Sequence, residues 1–260
     1  MTDQSAHFPK FYVTVPSPCP YLEGNTERKI FAELSPQQLA YDQQAILEHR
    51  GPELDRHHVE ELHRSLALIG FRRSQDIAYR PACEDCQECK SVRIPTLLFE
   101  MSKSQKRIFN KNKDLNFEIK PNIATEEQFE LLERYINSRH PEGGMAGISF
   151  SEYKDMVESS PISTVIIEYR DSSGKLIGAA LTDQMQDSFS MVYSFFDISK
   201  EMNKRSLGVF IVLHHITICK NRNLDHVYLG YLVQGSPKMG YKMNFKPIEV
   251  LTPNGWLLTK

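Results

Sequence analysis

The chain is 260 residues long, 40% hydrophobic and 25% charged, with 31 Lys and Arg against 33 Asp and Glu and a formal net charge of −2. That balance excludes recognition of a polyanion through global charge, so any nucleic-acid contact has to come from a local basic patch. The length and apolar content suit one large globular domain or two coupled ones. No run of about 18 apolar residues is present to span a bilayer, and residues 1–16 lack a basic segment followed by an apolar signal core, so the expected address is the cytoplasm.

Residues 11–15 read as an extended segment, followed by the proline punctuation of 16–20, with Cys19 in the turn, and a short helical run ending near Leu34. Apolar residues recur at three and four spacing over 39–47 and 54–69, divided by Gly51 and Pro52, and the second run is predicted as a helix closed by Gly70. Strands are predicted over 77–79 and 92–94. The segment 102–113 is predicted as a helix carrying Lys103, Lys106, Arg107, Lys111 and Lys113, with no acidic residue before Asp114. A strand from Asn116 follows, then a helix over 125–139 with Thr125 and Gln128 as a capping box. A helix over 149–157 comes next, then strands over 163–169, 176–184 and 188–196. The remaining expectations are a helix over 205–220, a strand over 227–231, a turn or short helix over 237–243 and a strand over 248–251. This alternation predicts an α/β (α+β) protein with a mixed central sheet over residues 101–260 and a smaller cysteine-containing region over 1–100.

Cys83, Cys86 and Cys89 form a C-x-x-C-x-x-C run, and thiolates at that spacing can clasp one zinc ion or an iron–sulfur cluster through a tight turn. Cys19 is the candidate fourth ligand. Spacing alone leaves zinc, [4Fe–4S] and reduced, metal-free thiols open, and a closed four-cysteine site would be structural or regulatory rather than catalytic. Arg205, Ser206, Leu207 and Gly208 open a helix, where free N–H groups and a guanidinium could receive phosphate; the same residues also read as a plain N-cap and a surface charge. Tyr228 and Tyr231, with Lys238, Tyr241 and Lys242, combine rings and ammonium groups as a single-stranded nucleic-acid end would require, or they are core aromatics and solvated lysines. Arg139, His140 and Met145 flank a glycine loop that either closes over substrate or merely stops a helix. Arg72, Arg73 and Arg80 are candidates for recognising phosphate or carboxylate.

The ordered set Ser17 to Leu22 with Glu27 and Arg28, Gly70 to Ser74, Tyr79 to Pro81, the three cysteines, Ser104 and Gln105, Asn112, Asp114 and Leu115, Arg139 and His140, Gly143 to Met145, Tyr193, Arg205 to Gly208, Tyr228 to Tyr231, and Lys238 and Met239 with Tyr241 and Lys242 resembles the bacterial branch of the arginyltransferase family across nearly the whole chain. It departs from the family pattern at Glu142, where Asp is expected, at Lys111, where Arg is usual, and at Leu232, where Trp is common. The resemblance implies a GNAT-like C-terminal domain that takes an aminoacyl-tRNA in place of an acyl-coenzyme A. It implies leucine as the amino acid moved, proteins beginning with Asp or Glu as acceptors, and their passage into N-degron degradation.

The expected reaction is direct acyl transfer from the tRNA ester to an α-amine through a tetrahedral intermediate. No nucleophile elbow such as G-x-S-x-G is present, and no cofactor is expected for the chemistry itself. Tyr193 is a candidate oxyanion donor, Asp183 a candidate base or amine anchor, and Arg205 joins Arg72, Arg73 and Arg80 in competition for the acceptor carboxylate. A monomer that does not engage membranes is expected. Rival readings are an arginyl-tRNA donor, an acyltransferase using coenzyme A, and a non-enzymatic metal-dependent tRNA-binding module.

Overall fold

The computed structural model describes residues 9–34, 52–236 and 239–259; the apolar run 39–47 and the candidate Lys238 lie outside them. In chain order the elements are β1 (Tyr12–Val13), β2 (Ser17–Pro18), β3 (Thr26–Glu27), β4 (Lys29–Glu33), α1 (Pro52–Leu68), β5 (Arg72–Ser74), β6 (Ile77–Pro81), β7 (Cys89–Pro95), α2 (Lys103–Lys111), β8 (Asn116–Pro121), α3 (Glu126–Arg139) and α4 (Phe150–Glu158). They continue with β9 (Thr164–Arg170), β10 (Leu176–Met185), β11 (Ser188–Phe196), α5 (Lys200–Asn203), α6 (Leu207–Asn221), β12 (His226–Val233), a 3-10 turn (Gly240–Asn244), β13 (Ile248–Thr252) and β14 (Gly255–Thr259).

Most elements read from periodicity are present. The capping boxes at Ser102 with Gln105, Thr125 with Gln128 and Ser149 with Glu152 set the starts of α2, α3 and α4. One element differs in kind: the run before Leu34, expected as helix, is the strand β4. Ile30, Phe31 and Ala32 pair with Arg80, Tyr79 and Ala78, and Ala32 and Leu34 are fully buried. So short an apolar run satisfies its backbone groups better in a ladder with β6 than in two helical turns.

The protein is α/β, built on an eight-stranded mixed sheet ordered β14-β13-β7-β12-β11-β10-β9-β8, beside a four-stranded sheet ordered β1-β4-β6-β5 and a short β2-β3 ladder. Strand β7, assigned by sequence to the region before residue 100, sits inside the large sheet between β13 and β12. The division at 100 and 101 therefore does not separate the two sheets. Alternation along β10 places Ala180 in the core under α6 and Ala179 and Leu181 in the core under α3 and α4. Among the described residues no helix is long and apolar enough to cross a membrane.

One irregularity positions the site. Strands β11 and β12 are the parallel pair in the large sheet, and they are in register over three pairs only, from Ser188 opposite His226 to Ser190 opposite Tyr228. Beyond that point they diverge, and β12 bulges at Gly230, whose φ of 77° is easy for glycine alone. The C-terminal halves of both strands thus leave a wedge of unpaired strand edge at one end of the sheet. The carboxyl ends of parallel strands are where α/β proteins characteristically bind ligands.

Candidate active site

Three helices and the 3-10 turn meet at this wedge. The 3-10 turn carries Lys242, whose buried ammonium donates to the Tyr231 carbonyl at 2.5 Å and lies 3.4 Å from Met239 Sδ. It replaces the ladder partner that β12 lost when β11 turned away. Burial, helped by the Arg72 charge, pulls its pKa down to about 7. The turn is tied in turn to α2, where Gln105 Nε2 donates to Asn244 O at 2.9 Å. The other end of α2 is bound to the loop before α6: Asn112 Nδ2 donates to Arg205 O at 2.9 Å and Lys111 Nζ to Lys204 O at 2.7 Å. Helix α2 is therefore pinned at both ends to elements that rim the wedge, with Lys103, Lys106, Arg107, Lys111 and Lys113 exposed.

On the other side of the wedge stand three tyrosines. Tyr193 projects from β11 beyond the point of divergence, Tyr241 from the 3-10 turn, and Tyr135 from the last turns of α3, close enough to act electrostatically on both. Burial pushes the Tyr193 phenol up to about 12 and raises Tyr135 and Tyr241 as well, so all three are protonated donors at neutral pH. Their hydroxyls have no hydrogen-bond partner among the described residues. Tyr135 is a site residue that sequence reasoning missed; its one signal is its place four residues before Arg139, on the same helix face. Its ring packs 5.0 Å from Phe196 and 5.8 Å from His140. Arg139 is exposed and donates to Asn203 Oδ1 at 3.2 Å, while Met145 is partly buried against the same apolar cluster as Tyr135 and Tyr193.

The phosphate-binding reading of the α6 start does not hold in this structure. Arg205 donates to Asn112 Oδ1 and Lys111 O, both at 2.9 Å, and is paired with Asp114, so its guanidinium staples α2 to α6 and has no face left for a catalytic or anion-binding role. Ser206 sits at φ 54° with no side-chain cap, Leu207 is buried in the core, and Gly208 is required because a Cβ there would come within 3.1 Å of the Phe196 ring. Tyr228 and Tyr231 likewise do not offer rings to a base. Tyr228 is buried and accepts from Arg93 at 3.1 Å, and the Tyr231 hydroxyl bonds the carbonyls of Gly70 and Tyr79 at 2.9 Å. Lys242 is too buried to neutralise a phosphate.

The competing arginines separate by their partners. Arg73 makes a two-pronged pair with Asp183, Nε to both carboxylate oxygens at 3.0 and 2.9 Å and Nη2 at 2.6 Å, with both side chains 0% exposed. Thr164 donates to the same carboxylate at 2.9 Å. Neither Arg73 nor Asp183 can meet a substrate, which withdraws Asp183 as base and Arg73 as carboxylate reader. Arg72 is buried beneath the Tyr228 ring at 4.7 Å and donates to Phe71 O at 2.6 Å and to Ser91; it too is removed from solvent. Arg80 is exposed, donates to Ile69 O at 3.1 Å and lies 5.4 Å from the Phe71 ring, with no carboxylate partner among the described residues.

Arg80 opens into a cleft of about 390 Å³ that is also lined by Cys19, Cys83, Cys86, Cys89 and Tyr231. The four thiols share one wall, and burial together with the other three cysteines pushes Cys89 up to about 12. Their donor set suits zinc or an iron–sulfur cluster. Yet among the described residues no three His, Cys, Asp or Glu side chains converge as an ion requires, and no catalytic step is derived through a metal.

The family model described as "Arginine-tRNA-protein transferase, N terminus" matches residues 17–107, and "Arginine-tRNA-protein transferase, C terminus" matches residues 127–252. A protein named aspartate/glutamate leucyltransferase from Sphingomonas elodea is 46% identical over 258 residues, covering 97% of this chain and 91% of that one. One of the same name from Parvibaculum lavamentivorans is 46% identical over 257 residues, covering 98% of each. Among solved structures, L-PGS from Bacillus licheniformis overlaps 60% of this chain and 49% of its own at 9% identity and a TM-score of 0.46. FemX overlaps 90% of this chain and 84% of its own at 8% identity and a TM-score of 0.45.

Proposed function

The chain belongs to the arginine-tRNA-protein transferase family, and from that premise we propose that it moves leucine from leucyl-tRNA to the α-amine of proteins beginning with Asp or Glu. The name carried by its relatives over nearly their whole length supports that donor and those acceptors. The observation in the structure that carries the reading is the basic helix α2, pinned at both ends to the rim of the β11–β12 wedge. A polyanion tracking those cations is led to a place where strand edges meet tyrosine hydroxyls that have no hydrogen-bond partner among the described residues.

The amine, with an intrinsic pKa near 8, attacks the ester carbonyl carbon. The new C–N bond forms, the bond between the carbonyl carbon and the ribose oxygen breaks, and the proton lost by the amine is balanced by one gained on the ribose oxygen. Charge develops on the former carbonyl oxygen, and the protonated Tyr193, Tyr135 and Tyr241 hydroxyls are the donors placed to receive it. Holding two large substrates in line supplies most of the remaining rate.

The test is incubation of the purified protein with separately charged radiolabelled leucyl- and arginyl-tRNA and peptides beginning Asp, Glu, Asn or Lys. Label from leucyl-tRNA on the Asp and Glu peptides is expected. Label from arginyl-tRNA alone would reassign the donor, and label on no peptide would defeat the transferase reading. A second expectation concerns the basic helix. Replacing Lys103, Lys106 and Arg107 together by Ala should weaken tRNA binding and flatten the slope of log affinity against log salt by about 2 to 3. A slope equal to the wild type would place the tRNA elsewhere.

A further inference from the structure

The cleft beside the wedge has a charge arrangement that the transfer reaction does not by itself explain. Two cations, Arg80 and Lys90, and one carboxylate, Glu27, are among its described lining residues. Among the described residues Arg80 donates to the Ile69 carbonyl and rests against the Phe71 ring, with no ion-pair partner. Glu27 is paired with the half-exposed Lys29 at 2.8 Å and lies close enough to Tyr21, Tyr79 and Cys89 to act on all three. A phosphate chain would meet the Glu27 charge in this cleft, whereas a ligand carrying one ammonium and one carboxylate a few bonds apart satisfies both signs. The cleft also abuts the wedge: the Tyr231 side chain lines it, and the Tyr231 carbonyl is the one held by Lys242 where β12 leaves β11.

Resting on the transferase reading above, we propose that this cleft is the receptor for the first residue of the acceptor protein, with Arg80 taking its side-chain carboxylate and Glu27 its α-amine. An Asn or Gln end fills the same volume but leaves the Arg80 guanidinium facing a neutral amide, and losing a charge-assisted pair of this kind is where discrimination arises. Lys29 shares Glu27 in the free protein, so the carboxylate is held in place before the acceptor amine arrives. Glu27 is placed beside the amine to hold it, and the amine keeps the freedom to lose its proton only when it leaves that contact for the ester.

Kinetics of the full chain with saturating leucyl-tRNA decide the matter. Arg80→Gln is expected to raise KM for Asp- and Glu-ended peptides by about 10- to 100-fold and to bring the Asp-to-Asn preference close to one, with KM for leucyl-tRNA unchanged. Arg80→Lys, which keeps a point charge but not the fork, should restore part of the preference. Glu27→Gln should abolish the advantage of a free over an acetylated N-terminus when peptide binding is read by fluorescence anisotropy without tRNA. In the wild type, an Asp-ended peptide should slow hydrogen–deuterium exchange at residues 25–27 and 81–91 more than its Asn-ended counterpart. This measurement stands even if a variant folds poorly. An unchanged Asp-to-Asn preference in a folded Arg80→Gln, or equal protection by the two peptides, would overturn the assignment. Failure of the wild type to label any peptide would instead strike at the transferase reading.

Discussion

Asp183→Ala is expected to unfold about 3 to 5 kcal/mol below the wild type, among the largest losses any single replacement in this chain should produce. The reason is the guanidinium left behind. Arg73 has no exposure, three of its contacts go to that one carboxylate, and its other partner among the described residues is the Gln75 carbonyl at 2.7 Å. Among the described residues no other carboxylate pairs with Arg73, and the neighbouring His63, 3.9 Å from Asp183, is held neutral by burial with its pKa down to about 4. The pair spans the molecule, joining β5 of the small sheet to β10 of the large one, so its loss also loosens the docking of the two. Urea midpoints at constant m-value measure the effect. A double replacement, Arg73→Met with Asp183→Leu, should recover most of the stability, since apolar groups of similar volume need no partner. If the recovered protein transferred no leucine while remaining folded, Asp183 would have a chemical role after all.

The second large effect is a pH dependence. The unfolded Lys242 ionises near 10.4 and the folded one near 7. Between those values the unfolded chain binds more protons than the native one, so native stability rises with pH across the window and the burial cost is fully present below 7. From pH 7 to 9.5 the gain amounts to about 3 kcal/mol. Buried thiols and phenols act in the opposite direction near the top of this range, because burial raises them in the fold. The comparison with Lys242→Met therefore isolates the lysine: the difference in denaturation midpoint between variant and wild type should shrink steadily as pH rises from 7 to 9.5. A difference that stays constant with pH would mean that Lys242 is charged in the fold throughout.

The sequence carried the helices and the long strands because each has a local cause. Period-three-and-four spacing ending at Gly70 marked α1, the capping box of Thr125 with Gln128 marked α3, and apolar stretches marked β9 to β11. What it did not carry depends on pairing at a distance. β4 looked helical until β6 was there to pair with it, and the short β5 and β14 are strands only because a neighbour supplies their ladder. The site divides in the same way. Residue types at the wedge were legible as chemistry, but not their availability: Arg73 meets its carboxylate 110 positions away and Arg205 meets Asp114 91 positions away. Four arginines that look alike in the text are two in internal pairs, one buried beneath a tyrosine ring, and one facing a cleft.

The position of β7 bears on how such a chain can be cut or inherited. The segments 17–107 and 127–252 answer to separate family models, which invites expressing either half alone. Yet the earlier segment supplies the strand between β13 and β12. Removing it would leave two facing strand edges bare in the middle of the remaining sheet, an invitation to aggregation. The halves should therefore regain solubility only when co-expressed, each completing the other as in a split reporter, and recombination between distant relatives at the 107–127 joint should succeed only where β7 still suits its new neighbours.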